Sequence, residues 1–122
     1  MYPNVRVLEG VWPKYYTPVP MSNIEDDLKT GMTRADAVVV TGEGTGKETP
    51  TEKIRKFREV LGEYPLIVGA GLTPENAEEQ LSIADGAIVG SSLKTDNDTT
   101  KQIERRKVRK LTDVVERVRK RK

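Results

Sequence analysis

An α/β fold of four consecutive βα units with parallel strands follows from three features of this 122-residue chain. Four short apolar or β-branched runs recur with both faces apolar, which is how strands buried in a parallel sheet read. A turn and a helical pattern follow each run. An internal echo, ADAVVVTG at Ala35 and ADGAIVGS at Ala84, repeats after forty-nine positions, the length of two strand–helix units here. Such alternation gives a parallel sheet joined by crossovers.

The first strand is expected in VRVLEGV (Val5–Val11). Ser22 and Glu25 then read as a capping box ahead of Ile24, Leu28 and Met32, which share one helical face. The second strand is AVVV (Ala37–Val40). Thr49, Pro50 and Glu52 read as N-cap, first-turn proline and box partner for a helix carrying Ile54, Phe57 and Leu61. The third strand is PLIVG (Pro65–Gly69), and Thr73 with Pro74 starts the helix of Ala77, Leu81 and Ala84. The fourth is AIVG (Ala87–Gly90). A last helix carries Val108, Leu111, Val115 and Val118, with Lys and Arg on its other faces. In both copies of the echo an Asp precedes the strand and glycine follows it.

Composition narrows the chemistry. Hydrophobic residues make up 35% and charged ones 33%, and residues 1–122 suit one domain with a real core. The chain lacks Cys, so disulfides, thiolate nucleophiles and iron–sulfur clusters are excluded. It also lacks His, which removes His-based triads and imidazole metal sites. Acid–base work would fall to Asp, Glu, Lys or Tyr. The longest apolar run is four residues, against about 20 for a membrane span. The opening MYPNVRVLEG has neither a basic start nor an apolar core, so a cytoplasmic protein is expected. The Cys-free, Lys- and Glu-rich composition suits a thermophile. Charge is split: residues 101–122 hold 11 basic and 3 acidic side chains, a balance of +8, whereas the first hundred hold 10 and 16, a balance of −6.

The stretch VVVTGEGTGKETP (Val38–Pro50) has the outline of a phosphate loop. It is not a Walker A loop, because Thr41 stands at the first glycine position and Glu48 follows Lys47. It is not a dinucleotide fingerprint either, since Lys47 stands where the third glycine belongs. A better case lies downstream. GAGLTPEN (Gly69–Asn76) and VGSSL (Val89–Leu93) put glycines at the carboxyl ends of two successive strands, where backbone N–H groups can approach an anion. Loops after the seventh and eighth strands of (β/α)8 barrels bind phosphate in this way. The expected phosphate contacts are Gly69, Ala70, Gly71, Gly90, Ser91 and Ser92. The alternative is that these glycines serve only tight turns.

TGEGTGKETP, LIVGAGLTPENAEEQL and ADGAIVGSSLKTDND together resemble the carboxyl-terminal half of the BtpA family, over about residues 5–118. The resemblance implies half of a (β/α)8 TIM-type barrel, one domain corresponding to strands five to eight, related to phosphate-binding barrel enzymes. Where the family's strand matching Val5–Val11 leads into acidic and histidine residues and then a lysine, this chain has Gly10, Trp12 and Tyr15 and keeps only Lys14. A full barrel takes about 250 residues. Four units would therefore leave open edges and an uncovered face. Self-association, a separate amino-terminal half-barrel, or reordering into an open flavodoxin-like sheet would resolve this, and self-association is preferred.

The remaining candidates follow from position. Lys47, Glu43 and Lys14 are the side chains considered for catalysis in an assembled barrel acting on phosphorylated sugars or nucleotides. Lys47 would contact substrate and Glu43 would serve as acid, base or ligand; the alternative for both is a solvated loop pair. Glu9 shares parity with Val5, Val7 and Val11 and is placed on the helix side. Asp96, Asn97 and Asp98 lack the glycine and distant Glu of a calcium loop and read as a polar turn. Trp12, Tyr15 and Tyr16 read as filling for the open barrel mouth, with a lid or a dimer contact as alternatives. The basic last helix has an apolar stripe and no interleaved aromatics, so a nucleic-acid partner is not expected. The expected partner is a phosphorylated small molecule, with no metal and no cofactor.

Overall fold

The computed structural model describes residues 3–122. Strands β1 (Leu8–Gly10), β2 (Ala37–Val40), β3 (Leu66–Val68) and β4 (Gly86–Ala87) alternate with helices α1 (Ile24–Arg34), α2 (Thr51–Leu61), α3 (Pro74–Ile83) and α4 (Arg105–Arg121). Two short 3-10 turns, Ser91–Leu93 and Thr95–Asn97, stand between β4 and α4. The strands pair in parallel in the order β1-β2-β3-β4. This is four βα units in sequence; the reordered flavodoxin-like sheet does not form.

Strand alternation sorts the sheet into two faces. Val38, Val40, Leu66 and Val68 are fully buried against Leu28, Ile54, Phe57 and Leu61 of the helices. Beyond β1, Val11 joins that core, and Glu9 turns the same way to pair with Arg34 of α1. The opposite face carries Val39 and Ile67. On that face a Cβ added at Gly69 would sit 2.5 Å from Val39 Cγ1, and one at Gly86 would lie 3.3 Å from Ile67 Cδ1. Among the described residues no helix covers it, and Leu8 and Ile88 at its sides stand 50% and 54% exposed while Val39 in the middle is buried. A second core lies between α3 and α4, where Ala77 and Leu81 meet Leu111, Val114 and Val118.

Several element starts differ from expectation. β1 begins only at Leu8, and Val5 and Val7 are exposed. Asn23, not Ser22, caps α1, accepting from the N–H of Glu25 at 2.8 Å. Pro50 holds the N-cap position of α2 without a side-chain bond, because the buried Thr49 hydroxyl donates instead to the Ala70 carbonyl at 2.8 Å. At α3 the expected Thr73–Pro74 start is present, with Asn76 completing a capping box. β4 ends at Ala87, although Ile88 N–H still donates to the Val68 carbonyl. On α4 the buried stripe runs through Leu111, Val114 and Val118, with Val115 half-buried at its margin.

The sequence echo has one structural cause. Asp36 Oδ2 accepts from Val7 N–H at 2.7 Å, and Asp85 Oδ2 accepts from Leu66 N–H at 2.9 Å. Each carboxylate thus anchors the start of the neighbouring strand to its own. Arg6 pairs with Asp36 and Arg58 with Asp85.

Candidate functional site

At the carboxyl ends of β3 and β4 the chain encloses a cavity of about 200 Å³. The segments Gly69–Leu72 and Ile88–Ser92 form its walls, so all six residues expected to contact phosphate line one space. Lys14, Lys94, Thr45 and Gly46 complete the rim. Among the described residues, the N–H groups of Gly71, Gly90, Ser91 and Ser92 have no backbone acceptor.

Close backbone approach shapes this cavity. Gly71 has φ +71, and a Cβ there would fall 2.2 Å from the Lys47 carbonyl oxygen. The glycine turn after β2 is therefore pressed directly onto the loop after β3, which only glycine permits. The Asn76 amide donates to the Gly71 carbonyl at 2.9 Å, and Ser92 Oγ donates to the Leu72 carbonyl at 2.7 Å. Fully buried Gln80 of α3 donates to the Thr49 carbonyl at 3.0 Å. With the Thr49–Ala70 bond, these ties join three loops into one unit.

The candidates for catalysis separate. Lys14 lines the glycine cavity, and its backbone N–H donates to Thr41 Oγ1 at 2.7 Å. Among the described residues no carboxylate pairs with its ammonium. Lys47 and Glu43 lie 4.0 Å apart as an exposed pair outside that cavity. Glu43 instead lines a neighbouring hollow of about 430 Å³ at the ends of β1 and β2, where Lys14 reappears beside Trp12, Tyr15 and Tyr16. The Asp96–Asp98 segment is a turn: Asp96 pairs with Lys101, and Asp98 accepts from the Thr100 hydroxyl. Among the described residues no group of three or more acidic side chains is placed to hold a metal ion.

Three participants were not singled out from sequence. Lys53 Nζ donates to the Trp12 and Thr41 carbonyls at 2.9 and 2.7 Å, bridging the chain just past β1 and β2. Burial alone pushes its pKa down. Its signal was the spacing of four to Phe57, over whose ring the ammonium sits at 5.8 Å. Thr45 fixes Tyr15: the tyrosine hydroxyl donates to Thr45 Oγ1 at 2.8 Å and accepts from Thr45 N–H at 2.7 Å. The Thr45 side chain is the chief cause that lowers the Tyr15 pKa, followed by its N–H. Nothing in the sequence marked that contact. Lys94, whose ammonium donates to the Thr99 carbonyl, adds a second cation to the cavity rim.

A wider hollow of about 670 Å³ lies on α4 between Arg105, Arg106, Arg109, Lys110 and Asp113. One helix supplies its whole lining, with no converging backbone groups, so it is a charged surface rather than a built site. No helix among the described residues is long and apolar enough to cross a membrane.

Known proteins are similar in sequence along most of the chain. An uncharacterized protein of Methanocaldococcus jannaschii is 33% identical over 93 residues, covering 76% of this chain and 34% of that protein. A Pyrococcus abyssi protein, likewise uncharacterized, is 32% identical over 118 residues, covering 95% and 44%. The photosystem I biogenesis protein BtpA of Synechocystis is 27% identical over 95 residues, covering 75% and 32%. The chain thus spans less than half the length of these relatives. With the BtpA family model matching residues 1–117, the chain belongs to the BtpA family.

Proposed function

We propose that this chain is a half-barrel that binds a phosphorylated small molecule between the loops after β3 and β4. The observation that carries this reading is the single cavity lined by Gly69–Leu72, Gly90–Ser92, Lys14 and Lys94. It offers amide N–H groups without backbone acceptors and two ammonium groups, the donors a phosphate dianion takes. Loops after the last two strands of a barrel are the usual place for such a site. The sequential strand order and the open sheet face support assembly into a larger oligomer, two copies covering each other's exposed strands. Of the residues weighed for catalysis only Lys14 reaches this cavity, so the proposal concerns binding.

Thermal unfolding in millimolar inorganic phosphate tests it. Wild-type protein should gain stability in proportion to the logarithm of ligand concentration. Gly71 is the wrong position to perturb, because any Cβ there collides with Lys47. At Gly90 an added Cβ meets nothing within 4 Å, so Gly90→Asp should fold and place a carboxylate at the cavity. That variant should keep its unliganded melting temperature and lose the phosphate shift. An absent shift in the wild type, with inorganic phosphate and with a sugar phosphate, would overturn the reading.

A further inference from the structure

The hollow beside the glycine cavity is the next feature to explain. It is about 430 Å³, sits at the ends of β1 and β2, and shares Lys14 with the glycine cavity. Its wall is aromatic: Tyr15 and Tyr16 are 71% and 77% exposed, and Trp12 is half-buried with its indole N–H donating to Asp27 at 2.7 Å. Leaving two tyrosine rings in water forgoes the stabilisation that burying them would bring. The backbone is also held at a cost, with φ +50 at Trp12 and +69 at Tyr15. Left-handed conformations at bulky residues persist where surrounding contacts enforce them, and such strain gathers at ligand sites.

Those contacts are visible. Thr45 holds the Tyr15 hydroxyl through two hydrogen bonds, and a Cβ at Gly44 would touch the ring edge at 3.5 Å. Lys53 fixes the Trp12 carbonyl from beneath. Glu43, 87% exposed and 4.0 Å from its nearest cation, keeps accepting capacity at the mouth of the hollow. The wall therefore offers a fixed aromatic edge, a free ring and a carboxylate, one lysine away from the phosphate cavity.

We infer that this hollow receives the base of a nucleoside monophosphate whose phosphate occupies the glycine cavity. The inference rests on the phosphate reading above. Tyr16 stacks on the base, Tyr15 closes the side next to the glycine turn, and Glu43 accepts from an amino group on the base edge. Lys14 lies between the two compartments and neutralises the phosphate. Stacking on an open ring needs no donor pattern, so the aromatic wall distinguishes nucleotides from sugar phosphates more than one base from another.

Calorimetric titration of the full chain with four probes tests this: inorganic phosphate, ribose 5-phosphate, adenosine 5′-monophosphate and adenosine. The nucleotide should bind about tenfold tighter than ribose 5-phosphate, the contribution of one stacked base. Tyr16→Ala should erase that difference and leave phosphate and ribose 5-phosphate affinities unchanged, whereas Tyr16→Phe should keep it. Equal affinity for nucleotide and ribose 5-phosphate would overturn the inference and leave the phosphate reading standing. A Tyr16→Ala loss shared equally by phosphate would overturn it as well. Adenosine binding that depends on Tyr16, without any phosphate binding, would overturn the nucleotide inference together with the phosphate reading and leave only a base site. No binding by any probe would overturn both.

Discussion

The two faces of the sheet are made from the same strands and end in opposite conditions. Val40 is fully buried among Phe57, Ile54 and Leu61, while Leu8 and Ile88 on the other face are half exposed. The contrast is one of the outer strands, because in β2 Val39 is buried as well as Val40. Helices complete one face within the chain. Among the described residues no helix lies over the other face, which is open at Leu8 and Ile88. The comparison teaches that the helix-covered core and the open face carry different burdens, so substitutions can perturb one without the other.

Breaking the covered face should have the largest effect. Phe57→Ala empties the centre of the core and should cost about 3–5 kcal/mol in denaturant unfolding. A loss below about 1 kcal/mol would mean that the helices do not depend on this core. The strand starts give a smaller, pH-dependent effect. Burial raises the Asp85 pKa, but hydrogen bonds from Arg58 and Leu66 N–H, with the charges of Arg58 and Lys122, outweigh it and hold the carboxyl below its ordinary 3.8. A depressed carboxyl stabilises the fold above that ordinary value, and the contribution is lost as pH falls through the folded value. Asp85→Asn should therefore weaken the protein at neutral pH by no more than about 1 kcal/mol, given its exposure, and flatten the acid limb of the stability curve. A parallel acid limb in both proteins would remove Asp85 as its source.

The open face should give the smallest change in stability. Leu8→Lys should shift unfolding by less than about 0.5 kcal/mol, because half of this side chain is already in water. Its effect should appear in solution mass instead. If two copies cover each other, light scattering should show a wild-type dimer and a Leu8→Lys monomer at equal concentration. Wild-type protein that stays monomeric across a concentration series would exclude self-association.

Much of this was legible in the residues. Four apolar runs gave the strands, and the sequential parallel order agrees with four βα units. The glycine segments Gly69–Gly71 and Gly90–Ser92 do meet in one cavity. Misplaced caps show the limit of local reading. Ser22 and Thr49 have the right side chains for capping, but Asn23 was equally suited and one residue nearer, and Thr49 met a buried carbonyl that needed its proton more. Lys47 and Glu43 are candidates by their position after a strand. Their turn is folded so that the Lys47 backbone is pressed against Gly71 of the glycine loop. Lys53 and Thr45 act on partners 41 and 30 positions away; the spacing of Lys53 to Phe57 places it over that ring but does not point to those contacts.

Gln80 gives the glycine loops a property their composition would not suggest. Glycine-rich segments ordinarily flicker among many conformations, and a ligand that orders them loses affinity to that ordering. Here a fully buried amide on α3 holds Thr49, Thr49 holds Ala70, and the Lys47 backbone seals Gly71. On the phosphate proposal, a ligand arriving at this rim meets a shape already made. Encounter should need no slow rearrangement, and differences among ligands should fall on how long each one stays.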